Sequence, residues 1–232
     1  MTRLYSHVAC LIAVAAFHST PSVAADLTPE LDARHKTCLE DIAVDAQIAY
    51  EKALQWRDQG GARRAKHCVA MALFALGHED EAAFRLDKLA SSPDGGSNST
   101  RVKHYAEAAN FWLSANEAEK AYASASAGLK LEYDHLDLRI ARARAYALSG
   151  RYDYAETDLT SVLTLDPKHA GALRYRADSR FKQDKMDEAL TDIEAALDLD
   201  PTSVETALLR GQIREAARLL EAAPKVEAEP TP

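Results

Sequence analysis

Four side chains with ligating or redox chemistry stand close together near one end of the chain: His35, Cys38, His67 and Cys68. Of the chain's three cysteines, Cys10 falls in an N-terminal segment that reads as a cleaved export signal, and the two that remain in an oxidising compartment read as a disulfide. Two cysteines with two histidines are also the donor set of a closed zinc site, and two buried thiols are a third outcome. His67 and Cys68 are adjacent, so on one helix they point about 100° apart and cannot easily grip a single ion. The Cys38–Cys68 disulfide is therefore the expectation. Further along, Arg142, Arg176 and Arg210 recur, as do Asp158 and Asp192; the stretch before them has Ala108 and Ser124 at the matching places. Joint presence and joint absence predict a structural ladder of ion pairs. Arg142–Asp158 with Arg176–Asp192, or Arg176–Asp158 with Arg210–Asp192, satisfy the spacing equally. No G-x-S-x-G, H-E-x-x-H or phosphate-cradling glycine loop occurs. No catalytic residue, cofactor site or metal centre is assigned, and the reading is of a protein that is not an enzyme.

The ends and the bulk composition narrow the setting. Residues 1–25 carry one cation, Arg3, then the apolar run Val8–Phe17, then the small residues Ser22 to Ala25. That is the layout of a signal peptide cleaved after Ala24 or Ala25, and a run of that length is too short to span a bilayer, which takes about 20 residues. The expected location is periplasmic or secreted, with no stable membrane insertion. The net charge of −8 and the lack of a basic, aromatic-interleaved run argue against nucleic acid as a partner. An alanine-rich, glycine-poor chain with 47% hydrophobic residues suits packed helices. The tail from 222 to 232, rich in Pro and Glu, is expected to be disordered.

The elements that position these residues come from a repeat. "GRYDYAETDLTSVLTLDP" and "DKMDEALTDIEAALDLDP" end at Pro167 and Pro201. Laid out in units of 34 residues, Ala143, Tyr146, Ala155, Leu159 and Val162 take places 8, 11, 20, 24 and 27. Ala177, Arg180, Ala189, Ile193 and Ala196 take the same places in the next unit; Ala109, Trp112, Ala121, Ala125 and Gly128 take them in the unit before. Small residues at 8, 20 and 27 let two antiparallel helices approach closely, and larger ones fill the remainder. This pattern resembles the tetratricopeptide repeat, a helix–turn–helix unit that completes its core by stacking. The resemblance implies an all-α, right-handed solenoid of about five units and a C-terminal capping helix. Two divergent units are expected over 26–92, a loop insertion at 93–100, and three units with the cap over 101–221. In the first unit Arg34 occupies the small place, a departure from the pattern.

The resemblance also implies a function. Such arrays bind extended peptides or partner helices in a concave face lined by first helices, at places 2, 5, 9, 12 and 13. Here Asn110, Arg144, Arg174, Asp178, Phe181 and Lys182 fall on those places, giving a cationic spot on an acidic protein with an apolar neighbour. The clamp by which some relatives hold chaperone tails is incomplete, since Asn110 stands beside Ala106 and Ala141. The expected function is a scaffold for a protein or peptide partner. The alternatives are a self-associating structural array and an enzyme or cofactor carrier built on the Cys38/Cys68 region.

Overall fold

The computed structural model describes residues 28–222. Eleven helices and no strand occur among them: α1 Thr28–Val44, α2 Ala46–Asp58, α3 Ala62–Ala75, α4 Glu79–Ser91, α5 Asn98–Ser114, α6 Ala118–Leu129, α7 Leu136–Leu148, α8 Tyr152–Leu165, α9 Ala170–Phe181, α10 Met186–Leu199 and α11 Val204–Ala222. Consecutive helices pack as pairs, and first helices of neighbouring pairs touch. The result is an all-α solenoid closed at one end by the single helix α11. The expected signal peptide and most of the expected disordered tail lie outside the described residues.

Local chemistry repeats with the fold. His135 and His169 cap the N-termini of α7 and α9, each ring accepting from the backbone N–H three residues on, and Ser203 does the same for α11. The turns within the four pairs from α3/α4 to α9/α10 each place one residue in the left-handed region: Gly77, Asn116, Gly150 and Asp184, with φ of 81°, 59°, 73° and 59°. The following N–H then returns to a carbonyl five residues back, as from His78 to Leu73 and from Lys185 to Arg180. The repeated Leu-Asp-Pro closes second helices. Asp166 and Asp200 accept from the N–H two residues on, while the proline cannot continue the helix.

Close approach explains the small residues. Ala70, Ala82, Ala109, Ala121, Ala143, Ala155, Ala177 and Ala189 are buried at 1% exposure or less. At Gly128 an added Cβ would lie 2.6 Å from Leu138 Cδ1, so a side chain there would push α6 off α7. Trp56 and Trp112 are core residues, and Trp112 Nε1 donates to the half-buried Asp87 at 2.7 Å. Ser124 donates to the same carboxylate at 2.9 Å, so the unit without the Arg–Asp pair uses a hydroxyl instead.

Two differences from the sequence reading have local causes. The loop expected over 93–100 ends at Ser97, whose hydroxyl accepts from the Thr100 N–H, so Asn98–Thr100 already forms the first turn of α5. Its tip is anchored, with Lys66 Nζ donating to Asp94 at 2.7 Å. Arg34 is tolerated at a small place because it is exposed and lies over the Trp56 ring, 4.8 Å from its centroid.

The ion pairs form within units. Arg142 meets Asp158 through two hydrogen bonds of 2.7 Å, and Arg176 meets Asp192 at 2.8 and 2.7 Å. Arg210 makes no ion pair among the described residues. Asp192 also accepts from Arg180 Nη1 at 2.8 Å, and Arg180 reaches back to Glu156 on α8 at 2.8 Å. The carboxylate partner across units is thus reached by Arg180, while Arg176 Nη1 reaches the preceding unit at the Thr160 hydroxyl, 3.3 Å away. Cys38 and Cys68 form a disulfide joining α1 to α3, with Cα atoms 6.4 Å apart. A loop of this length is worth about 3–4 kcal/mol in chain entropy, and it ties down the terminal unit.

Asp192→Ala leaves Arg176 and Arg180 without their buried carboxylate. Denaturant unfolding should show a loss of about 3–5 kcal/mol. The pH response follows from Glu156. Burial opposes its charge, but hydrogen bonds from Lys185, Arg180 and Gln183 overcome it and hold the carboxyl at about 2 instead of 4.5. Its stabilisation is present above pH 4.5 and is lost as pH falls through the folded value, because the unfolded chain takes up the proton first. The melting temperature should drop between pH 5 and pH 2.5, and Glu156→Gln should drop less over that interval.

Candidate functional site

Two regions of the concave face, lined by first helices, bring polar side chains together. In the C-terminal region α5, α7 and α9 contribute in turn. Arg144 Nη1 donates to Asn110 Oδ1 at 2.9 Å, and Asn110 Nδ2 donates to the Ala106 carbonyl, so both ends of that amide are engaged. The guanidinium carbons of Arg144 and Arg174 stand 5.2 and 4.4 Å from the centroid of Tyr175. Arg144, Tyr175, Asp178 and Lys182 line a cavity of 320 Å³ with Leu113, Ala147, Leu148 and Tyr152. Burial pushes the Asp178 carboxyl above its ordinary range, against the pull of Lys182 and Arg174. Phe181 faces elsewhere: it packs on the cluster of Ala177, Ala189, Ile193 and Ile213, with Lys182 Nζ 5.5 Å from its ring centroid. The structure therefore joins Asn110, Arg144, Arg174, Asp178 and Lys182 in one surface and turns Phe181 into the core beside it.

The second region is the seam of α1, α3 and α5. His35 Nε2 lies 2.9 Å from His67 Nδ1; His67 Nε2 lies 2.9 Å from Glu107 Oε2; His104 Nδ1 lies 3.4 Å from the same oxygen. His67 and His104 are buried, at 6% and 7% exposure, and their ring centroids are 4.9 Å apart. Burial opposes the charge on Glu107, but hydrogen bonds from His104 and His67 outweigh it and hold its carboxyl at about 2. Burial, aided by the repulsion of His67 and Arg64, lowers His35 to about 4. The cluster opens on a cavity of 400 Å³ whose rim carries Arg63, Arg64, Lys103 and Asp32. Arg64 is paired with Asp32.

Sequence reasoning brought His35 and His67 near the cysteines but missed His104, Glu107 and Tyr175. Their places in the repeat are 3, 6 and 6, outside the set that the resemblance assigns to the groove. A usable signal existed: His35, His67 and His104 fall on three successive first helices. The cysteines, once bridged, offer neither ligand nor nucleophile, so the enzyme or cofactor-carrier alternative loses its sulfur chemistry.

Scans of the sequence against known protein families found no match, and no curated protein matches it. Solved structures do. A thermophilic TPR protein from Thermus thermophilus is 17% identical, with a TM-score of 0.58 over 82% of this chain and 99% of that one. A MamA RS-1 double mutant is 16% identical, with a TM-score of 0.58 over 68% and 86%. The Sgt2 TPR domain of Aspergillus fumigatus is 17% identical, with a TM-score of 0.51 over 62% and 92%. Helix pairing, repeat length and these likenesses agree: the chain has the tetratricopeptide-repeat fold.

Proposed function

We propose that this chain is an exported scaffold, without enzymatic activity, that binds an acidic peptide or protein segment along its concave face. The observation that carries the reading is the convergence around Tyr175. Arg144 and Arg174 come from consecutive units and stand at one aromatic ring, and Arg144 and that ring line a cavity together with Lys182. Each side chain is partly exposed on a protein of opposite net charge. Guanidinium groups suit carboxylates because two N–H donors match two oxygens. The exposed Leu148 adds an apolar contact next to them.

Export is supported by the N-terminal pattern and by the disulfide, which persists in an oxidising compartment. Among the described residues, no helix is long and apolar enough to cross a membrane. A second reading, self-association, draws on α11. Val204, Leu208, Leu219 and Leu220 are 55% to 66% exposed on this last helix. Light scattering separates the two readings, since a monomer at working concentration removes the second.

Photo-crosslinkers placed at Leu148 should capture a partner in cells. With that partner in hand, Arg174→Ala should weaken binding by about 2–5 kcal/mol, the usual cost of truncating a paired interface charge. Its melting temperature should stay near that of the parent, and Glu119→Ala on α6 serves as the control. Intact binding by Arg144→Ala and Arg174→Ala would remove the groove from the function. N-terminal sequencing of the exported protein should begin at Ala25 or Asp26, and Met1 on the mature chain would end the export reading.

A further inference from the structure

We propose that His67, His104 and Glu107 bind a divalent first-row metal ion of the zinc class, with a fourth coordination position open to the cavity at the α1/α3/α5 seam. Two imidazoles and one carboxylate make a three-ligand set of the kind that leaves an exchangeable position on zinc. One ligand atom from each of the three residues lies within 4.8 Å of the others. Tetrahedral zinc, with bonds of about 2.0–2.1 Å, holds its ligand atoms about 3.4 Å apart. The separations of 2.9 and 3.4 Å around Glu107 Oε2 are already near that spacing, and the third, between the two ring nitrogens, is within 4.8 Å.

The surroundings supply the outer shell. His67 would ligate through Nε2, which leaves Nδ1 to carry the proton and donate it to His35 Nε2, 2.9 Å away. Such a partner sets the tautomer and orientation of a ligating histidine. In the metal-free protein the roles are reversed: the Glu107 carboxylate accepts from His67 Nε2–H, and His67 Nδ1 accepts from His35. Loading therefore moves one proton from Nε2 to Nδ1 on each ring, with no net change of charge on the pair. Cys38 and Cys68 stay bridged and take no part.

Packing gives an independent reason to treat this cluster as a site. Two helical turns further along the same seam, Phe74 on α3 stacks on Phe111 on α5, ring centroids 3.7 Å apart. His67 and His104 stand seven residues before those phenylalanines on their respective helices. The seam is therefore filled by an aromatic pair at one level, where Phe111 borders a cavity of its own, and by metal-ligating groups at the level of the 400 Å³ cavity. Arg63 and Lys103 at the rim disfavour a bare cation and favour an anionic fourth ligand, such as a carboxylate, on the bound metal.

The test is titration of untagged, disulfide-intact protein with Zn²⁺ against a chromophoric chelator, and with Co²⁺ followed by its visible spectrum. We expect one saturable equivalent and an intense tetrahedral Co²⁺ band. Glu107→Gln and His104→Gln should each weaken binding at least 100-fold. His35→Gln, which removes the outer-shell partner, should weaken it about 10–100-fold. His78→Gln, exposed in the turn after α3, should leave it unchanged. The absence of a saturable equivalent in the parent protein overturns the proposal, and this outcome does not depend on any variant folding. So does a weak octahedral Co²⁺ spectrum, or parent-like affinity in a His104→Gln/Glu107→Gln protein that melts as the parent does.

Discussion

Every feature of this molecule depends on the inability of one helix pair to bury its own apolar face. The exposed remainder must be covered by the next pair, so the chain stacks. Close stacking demands alanine or glycine where backbones approach, and Ala109, Ala143 and Ala177 on successive first helices are all buried. With so much of the core given to small side chains, dispersion contacts come from backbone proximity rather than from large groups. The fold then leaves first helices side by side on one face, and residues far apart in sequence become neighbours there.

Polar groups are accommodated within this frame by pairing. Asp158 and Asp192, each buried on a second helix, meet an arginine of their own unit in bidentate geometry. Between these two units the charge is carried by Arg180 and Lys185, both paired with Glu156. Such pairs add little net stability against an apolar alternative, but they penalise a slipped register, because a shifted helix would leave a charge in the interior. The unit lacking the pair keeps Asp87 satisfied on one oxygen through Trp112 and Ser124, while Oδ1 is buried without a partner.

The seam between α3 and α5 differs from the two that flank it. The backbones of α3 and α5 approach each other less closely than those of α1 and α3 or of α5 and α7. Large side chains bridge the gap: stacked phenylalanines at one level, and imidazoles with a carboxylate at another. The disulfide one turn from His35 and adjacent to His67 holds α1 against α3, so it also sets the distance between those two rings. A covalent link is useful at this end because, among the described residues, the pair α1/α2 has a neighbouring pair on one side only.

The sequence by itself determined the repeat, the helix pairs, the small-residue places and the pairing of Cys38 with Cys68 as the expected bridge. The first three follow from spacing along one chain, where size and polarity recur at 34-residue intervals, and the bridge follows from an even pair of cysteines in a chain read as exported. It also named the arginines that gather on the concave face, because first-helix places are equivalent from unit to unit. The register of the Arg–Asp pairs was decided only in three dimensions, since partners within and between units lie at matching heights along antiparallel helices. The same holds for Tyr175, for the inward turn of Phe181, and for the joining of His35, His67, His104 and Glu107. His35, His67, His104 and Glu107 sit at unlike places of their repeats. Their meeting depends on the rotation of each helix and the width of each seam, quantities that tertiary packing sets and residue spacing does not encode.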